Sequence, residues 1–441
     1  MSGSAARARS ATTRWACAVA LVVATSVAPS QAAAPAPRQW TLPNGLRVVL
    51  QDNQPTATVV VCGFVRVTAL HETRVGPGIR RLTNMMVGRA DSCQELVRSA
   101  GARVETALAP DYAEVVISGP TESVGDCARI LRQALYGPEL TERALEIERA
   151  RLLRQFAARA ELPAEYATDL AYSRLYPGLG SATYVLGDPV VVAGLTLEQV
   201  RRFHGAHYLP NATVVSISGG VASEATRSVV SQVLGGLLPG GMPEQAPMAR
   251  ANGRLERIEV QWPGATAALC VASPAVSLDS PDYPAAATAM VLLSSGSGSR
   301  LYQKLRHERG LCYSISGDIT PSAVTPMATV LLTAAQGDIA EVERIVGDEM
   351  DRLGAEEPDP AELRRAKRYL AGQHAMRHQR NREIAHYLGV FELLGGAPGY
   401  RLDSLLAGRL AVVSGAQVRS VAAEMLRGRV VVVLSESGGR R

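Results

Sequence analysis

The sequence predicts an α+β fold made of two homologous halves, each with a mostly antiparallel or mixed sheet packed against helices. A similar order of strand and helix patterns occurs twice, about 200 residues apart. Many of the strands are joined by tight turns, which favours α+β over a doubly wound parallel sheet. A length of 441 residues is enough for two such halves, because one domain commonly holds about 150 residues.

The first 34 residues have the pattern of a secretory signal peptide. Three arginines precede an apolar run over Trp15–Ala28, and small residues typical of a cleavage site follow it. This run of about 14 residues is shorter than the roughly 20 that cross a bilayer. We therefore predict cleavage of residues 1–34, export to the periplasm and no stable membrane insertion. An uncleaved N-terminal anchor is the alternative.

Composition excludes several classes of function. The hydrophobic fraction of 47% and the charged fraction of 20% are those of a globular protein. Removal of residues 1–34, with Arg7, Arg9 and Arg14, would lower the formal charge from +5 to +2. So small a charge on so long a chain argues against nucleic-acid binding, and the scarcity of aromatic residues argues against a base-stacking surface.

Hydrophobic periodicity predicts matching elements in the two halves. The first half contains Glu95–Ala100, Arg103–Ala107, a turn at 109–111, Ala113–Ser118, Glu122–Ala134, Thr141–Ala160 and Thr213–Ser218. The second half contains Leu301–Arg309, Cys312–Gly317, a turn at 320–322, Met327–Thr333, Asp338–Leu353, Ala361–Arg380 and Val430–Leu434. A stretch rich in Gly, Pro and Met separates them. We therefore divide the chain into residues 35–234, a linker at 235–252, and residues 253–441.

Three groups of sequence segments resemble those of the pitrilysin/insulinase superfamily of zinc peptidases, which includes the mitochondrial processing peptidase. Leu42–Val49 resembles the family's opening strand, and Leu195–Val200 with Tyr208–Ala212 resembles the close of its first half. Gly298–Leu301 followed by Leu305–Tyr313 resembles the signature of its second half. The resemblance covers nearly all of the chain after residue 34. It implies two α/β halves that assemble, singly or in pairs, into a clamshell around an unfolded peptide.

The resemblance also implies where a zinc site belongs. The family carries H-x-x-E-H on a helix of the first half, with a later Glu as third ligand. Here Arg81 and Met85 stand at the two His positions, and Asn84 stands at the position of the general base. Gln155 aligns with the third ligand, and Glu148 lies nearby in the sequence. A guanidinium has no lone pair, a thioether is a poor zinc ligand, and an amide accepts no proton near neutral pH. We therefore predict no metal or other cofactor in this chain, with zinc expected in a partner subunit. In this interpretation the charge of Arg81 replaces that of the missing cation.

Other histidines leave alternatives open. His374 and His378 lie four positions apart on a predicted helix, followed by Glu383 and His386, but no base lies between them and Arg377 is adjacent. The pair at 204 and 207 lies in a segment that is only helical in the family, and the pair at 71 and 72 is isolated. The five cysteines after residue 34 show neither a C-x-x-C pair nor a disulfide pattern, so most are expected to be buried hydrophobes.

The second-half signature is intact. By resemblance, Arg306 would hold a substrate carbonyl or carboxylate, and Tyr313 would donate to the tetrahedral oxyanion. A guanidinium fork suits acyl oxygens, and a phenol suits developing negative charge. The run at 294–299 resembles the glycine-rich loop of non-catalytic subunits, where it helps to capture or move substrate. Gly296, Gly298 and Arg300 are therefore the predicted substrate-binding residues. A surface arginine, a packed tyrosine and a simple turn are the structural alternatives.

These features together predict the non-catalytic subunit of a heterodimer. The partner would be a zinc-bearing homologue, and the composite site would join its first half to the second half of this chain to hydrolyse peptides. Proteins of this fold also serve as core subunits of the mitochondrial ubiquinol–cytochrome c reductase, so a scaffold or peptide-binding protein is an alternative. An active metallopeptidase that uses His374 and His378 is a third.

Overall fold

A computed structural model describes residues 36–179, 185–241, 247–396 and 398–436. The predicted signal peptide, residues 1–34, lies outside the described residues, and so does part of the predicted linker. Both sheets and all the helices below belong to one compact unit. None of the helices in the described ranges has both the length and the apolar character that a bilayer crossing requires.

The first half contains one sheet of six strands in the order β1-β2-β6-β3-β5-β4. Its strands are β1 Arg38–Thr41, β2 Arg47–Asp52, β3 Thr58–Arg66, β4 Arg103–Leu108, β5 Tyr112–Pro120 and β6 Thr213–Gly219. Strands β2 and β6 are parallel, and the other pairs are antiparallel. Its helices are α1 Ile79–Val87, α2 Asp91–Ser99, α3 Val124–Tyr136, α4 Glu142–Ala160, α5 Pro163–Leu175, α6 Pro189–Gly194, α7 Leu197–His207 and α8 Ser223–Leu234.

The second half contains one sheet of five strands in the order β7-β11-β8-β10-β9. Its strands are β7 Glu256–Gln261, β8 Thr266–Pro274, β9 Cys312–Thr320, β10 Met327–Ala335 and β11 Val430–Ser435, with β7 and β11 parallel and the other pairs antiparallel. Its helices are α9 Tyr283–Ser294, α10 Ile339–Ala355, α11 Pro360–Arg377, α12 Asn381–Leu394, α13 Tyr400–Ala411 and α14 Gly415–Met425, with a π-helix at Tyr302–Glu308.

The two sheets have the same topology, so the predicted α+β fold with two homologous halves is confirmed. Strands β2, β6, β3, β5 and β4 correspond in order to β7, β11, β8, β10 and β9, and β1 is an addition to the first sheet. The comparison of Leu42–Val49 with an opening strand was wrong in one respect, because this segment is not a single strand. Gly45 has φ +82°, and Leu42 donates to the carbonyl of Leu46 at 2.8 Å, so a turn precedes β2.

Each half lends one helix to the sheet of the other half. Helix α12 packs on the first sheet, where its Leu394 joins a buried cluster with Phe64 of β3. Helix α5 packs on the second sheet, where its Tyr172 joins a buried cluster with Cys270 of β8. The remaining face of each sheet is covered by helices of its own half. Both sheets are therefore buried on both faces, and the halves are held together by two large apolar contacts.

Equivalent turns of the two halves also meet. The carboxylate of Asp111, in the turn between β4 and β5, accepts a hydrogen bond from Oγ of Ser322 at 2.8 Å and another from the amide of Ala323. Ser322 and Ala323 lie in the turn between β9 and β10. Burial raises the pKa of Asp111, and these hydrogen bonds oppose that rise. The carboxylate therefore ties the two repeated hairpins to each other.

Candidate functional site

Helix α1 presents Arg81 and Met85 to one cavity. The two residues are four positions apart, so their side chains lie on the same face of the helix. Together with Gln155 of α4 they line a cavity of about 530 Å³. One terminal nitrogen of Arg81 lies 3.4 Å from the side-chain oxygen of Gln155. The structure therefore brings together three of the four positions that the sequence assigned to a degenerate metal site.

Asn84, which the sequence resemblance places at the position of the general base, is not among the residues that line this cavity. Its side chain is fully buried, and Nδ2 donates to the carbonyl of Ala107 on β4 at 2.5 Å. Its Oδ1 atom has no hydrogen-bond partner within the described ranges. The amide thus ties α1 to the neighbouring strand instead of facing a reacting water.

Gln155 and Glu148 were both candidates for the position of the third metal ligand, and the structure shows why. The two residues are seven positions apart on α4, or two helical turns, so both face the same cavity. The Glu148 carboxylate is buried, and its nearest cations are Nε of Arg89 and Nη1 of Arg151, each 3.8 Å away. A single carboxylate surrounded by guanidiniums, with a thioether beside it, does not fit zinc. No step of the chemistry can therefore be assigned to a metal at this position.

A buried ion pair that the sequence analysis missed holds the start of α1. Glu72, considered an isolated residue in a loop, accepts hydrogen bonds from the amides of Gly78 and Arg80 at 2.8 and 3.2 Å. Its other oxygen lies 3.1 Å from Nε of Arg80, and both side chains are at most 5% exposed. The Arg80 guanidinium also donates to three backbone carbonyls. Nothing in the local spacing distinguishes this Glu from a surface one.

The predicted catalytic pair of the second half lies on the surface. Arg306 belongs to the π-helix and Tyr313 to the edge strand β9, and both are exposed, Tyr313 by 58%. The guanidinium of Arg306 donates to the carbonyl of Cys312, and to that of Tyr313 at 3.3 Å. Short π-helical segments occur often at functional sites. The two side chains are therefore neighbours that can project outward from the same edge of the second sheet.

The glycine-rich loop forms a hydrogen-bonded turn ahead of the π-helix. Gly296 has φ +79°, and a Cβ there would lie 2.8 Å from the ring of Tyr369, so glycine is required. Gly298 has open space around it. Arg300 makes a two-pronged pair with Glu362 at 2.7 and 2.9 Å, and its side chain is 11% exposed. A substrate contact by Arg300 would have to replace that internal pair.

The histidine pair at the C-terminal end of α11 lies close to a third possible metal ligand. His374, His378 and Asp403 offer ligand atoms that all lie within 4.8 Å of one another. Nε2 of His378 is 2.6 Å from an oxygen of Asp403, while its Nδ1 lies 2.7 Å from the carbonyl of His374. The hydrogen bond to Asp403 raises the pKa of His378, whereas burial lowers the pKa of His374. The sequence had pointed to Glu383 and His386 instead, because Asp403 belongs to a different helix.

The five described cysteines are all buried and free. They are those at positions 62, 93, 127, 270 and 312. Burial raises the pKa of Cys93 to about 11 and that of Cys270 to about 12, so these thiols stay protonated at neutral pH. The expectation that most of them act as small buried hydrophobes is confirmed.

Comparison with known proteins relates the chain to a family of peptidases. Residues 194–370 match the family described as the peptidase M16 inactive domain. A Streptomyces coelicolor protein named as an uncharacterized zinc protease is 24% identical over 406 residues, which cover 88% of this chain and 87% of that protein. Cytochrome b-c1 complex subunit 1 of Caenorhabditis elegans is 26% identical over 209 residues, which cover 46% of this chain and 44% of the relative.

A solved structure shares the fold of nearly the whole chain. The crystal structure of the peptidase M16 inactive domain from Pseudomonas fluorescens superimposes with a TM-score of 0.82 at 19% identity. The superposition covers 92% of this chain and all of that one. The sequence resemblance to the pitrilysin/insulinase superfamily is thereby confirmed, because residues 194–370 match a peptidase M16 domain and nearly the whole chain is similar to relatives named as zinc proteases.

Proposed function

We propose that this chain is a catalytically incomplete M16 subunit that binds peptides and contributes Arg306 and Tyr313 to the active site of a zinc-bearing homologue. The observation that supports this most directly is the contrast between its two halves. The metal-site helix presents Arg81 and Met85, while the second half keeps an exposed Arg and Tyr side by side. A chain that lacks metal ligands but keeps the Arg and Tyr side chains needs a second chain to supply the metal.

Exposure of the second-half pair is what a composite site needs. Tyr313 stands on an outer strand, and its side chain is 58% exposed, so it is not a core residue. A phenol that meets an oxyanion only in the assembled enzyme must be accessible in the separate subunit. Such a donor acts mainly on the transition state, so it changes kcat more than KM.

Edge strands offer places for an extended peptide. Strand β4 ends the first sheet beside the cavity at Arg81, and strand β9 ends the second sheet at Tyr313. An edge strand presents unpaired backbone amides and carbonyls that an extended peptide can complete. A peptide on β4 would therefore lie beside the former metal position, and one on β9 beside the catalytic pair.

The proposal is tested by mixing two purified proteins. The partner is a homologue from the same organism that carries an intact H-x-x-E-H motif and a signal peptide. We expect each chain alone to be inactive on an unfolded peptide and the mixture to be active. Replacement of Tyr313 by Phe should lower kcat of the mixture about 100-fold with little change in KM.

Controls separate catalysis from folding and assembly. Tyr302→Phe and Arg309→Ala change the same residue types nearby, and both should leave the rate of the mixture unchanged. Arg306→Ala should lower kcat/KM. If the Tyr313→Phe and Arg306→Ala mixtures keep the full rate while both complexes still form, the catalytic role is wrong.

A scaffold without proteolytic function is the alternative that the similarity to a cytochrome b-c1 subunit supports. It predicts a stable complex with the homologue, or with another protein, whose peptidase rate does not depend on this chain. The mixing experiment therefore distinguishes the two functions directly. Export to the periplasm belongs to the proposal as well, and signal-peptide cleavage after residue 34 would support it.

A further inference from the structure

The cavity that replaces the metal site is rich in guanidinium groups. Four arginines and two glutamates line it, which gives a formal charge of +2; they are Arg81, Arg89, Arg103, Arg151, Glu105 and Glu148. Arg89, Arg103 and Arg151 are between 43% and 79% exposed and stand at its rim. Arg81 is half-buried and lies deeper.

Arg81 is poorly paired for a half-buried cation. Its contact with Gln155 is long, at 3.4 Å, and its Nε atom is buried without a hydrogen-bond partner in the described parts of the chain. Glu148 does not satisfy it, because that carboxylate lies between Arg89 and Arg151. Burial and the neighbouring charge of Arg151 lower the pKa of Arg81, and the negative charge of Glu148 only partly opposes this. A cation in this setting is stabilised by an anion that enters the cavity.

We propose that this cavity binds a carboxylate of a peptide through the guanidinium of Arg81. A planar guanidinium pairs with a carboxylate through two parallel hydrogen bonds. The neighbouring side chains of Met85 and Gln155 carry no charge that would repel a carboxylate. The volume of about 530 Å³ admits an acidic side chain or a chain terminus. In this chain, a fixed cation therefore replaces the metal as the group that attracts oxygen atoms of the peptide.

Strand β4 explains how the peptide reaches the cavity. Residues Arg103–Thr106 line the cavity and belong to the edge strand, so a peptide added to that edge passes its mouth. The carboxylate could be the C-terminus of the peptide or an Asp or Glu side chain, since both present the same two oxygens. The inference rests on the proposed peptide binding and names the class of peptide that is preferred.

Fluorescence anisotropy with the full chain tests the inference. Three labelled ten-residue peptides of one sequence are compared: one with a C-terminal acid, one amidated with an internal Glu, and one amidated and neutral. We expect at least one acidic peptide to bind about tenfold more tightly than the neutral one, because only a carboxylate can form charge-assisted hydrogen bonds with the guanidinium. The difference between the two acidic peptides identifies the source of the carboxylate.

Variants assign the preference to Arg81. Arg81→Gln should remove the tenfold preference without changing the affinity for the neutral peptide, and Arg81→Lys should keep part of it. Arg151→Gln at the rim should weaken it with little effect on folding. The matched control Arg98→Gln, on the exposed surface of α2, should leave it intact.

The possible outcomes are distinct. Equal binding of all three peptides by the wild-type chain would overturn the inference and leave the proposed peptide binding standing. A preference that survives in folded Arg81→Gln and Arg151→Gln proteins would also overturn it. Failure of every peptide to bind would overturn both the inference and the peptide-binding part of the proposed function.

Discussion

Replacing Gly389 with alanine should loosen the contact between the two halves. Gly389 lies in the middle of α12, and a Cβ there would come within 2.0 Å of Cε2 and 2.5 Å of Cδ2 of Phe64. Carbon atoms in protein interiors normally stay about 3.5–4.0 Å apart. The ring of Phe64 is fully buried between Tyr112 and His386, at centroid distances of 5.4 and 5.8 Å, so it has no room to turn aside.

The expected net effect is a loss of about 1–2 kcal/mol in the free energy of unfolding. Insertion of a methyl group into a packed core commonly costs about 1–3 kcal/mol. Alanine in a helix interior returns up to about 1 kcal/mol relative to glycine. Because the clash involves a ring that is held on both sides, we expect the cost to lie near the upper end of its range and the loss to exceed the gain.

Differential scanning calorimetry of matched variants measures this balance. Gly372 lies in the interior of α11, and a Cβ there would contact nothing within 4 Å. Gly372→Ala should therefore raise Tm, while Gly389→Ala should lower it. Phe64→Leu should be less harmful in the Gly389→Ala background than alone, with a coupling of about 0.5 kcal/mol or more. Equal and positive shifts for both alanine variants would refute the reasoning.

Two further predictions concern buried charges. Glu72→Gln leaves Arg80 as an unpaired buried cation and should cost about 3–5 kcal/mol in calorimetry, whereas Glu95→Gln in an exposed pair should cost less than about 0.5 kcal/mol. The pKa of His378 is raised in the folded state by Asp403, so the pair stabilises the fold below the ordinary His pKa of about 6.5 and loses this effect as pH rises through the raised value. Asp403→Asn should therefore destabilise more at pH 5.5 than at pH 8.5 in urea unfolding; a pH-independent difference would contradict this assignment.

The presence of two similar sheets follows from features visible in the sequence, whereas the exchange of helices between halves does not. Repeated alternation and turns predict two similar sheets. Strand β3 is buried along most of its length, as expected for a strand covered on both faces. The sequence cannot say which helix covers the second face, because periodicity identifies an apolar helix face but not the surface on which it packs. That choice depends on complementary shape, such as the close approach of Gly389 to Phe64.

In the candidate site, too, some residues could be predicted from a sequence motif, and others are brought together only by the tertiary structure. Arg81 and Met85 were found because a family motif has fixed spacing, and Gln155 because it aligns with the third ligand on a later helix. The structure places all three around one cavity. Glu72 and Asp403 were not found, because each meets its partner only after the chain has folded. Arg300 carries the right chemistry for an acyl oxygen, but the fold pairs it with Glu362, which no local pattern indicates.

The duplication also explains why the chemistry of this fold can change without loss of its architecture. In the first half a cavity lies where α1 and α4 meet the edge strand β4; in the second half another, of about 370 Å³, lies where α9 and α11 meet the edge strand β9. These elements are topological equivalents, so the backbone itself creates a cleft at the same place in each half. The first cleft presents Arg81 and the second presents Asp318 and His374. The clefts come from the packing of helices on a sheet edge. Substitution of a few polar lining residues can therefore alter what each cleft binds without changing the architecture of the fold.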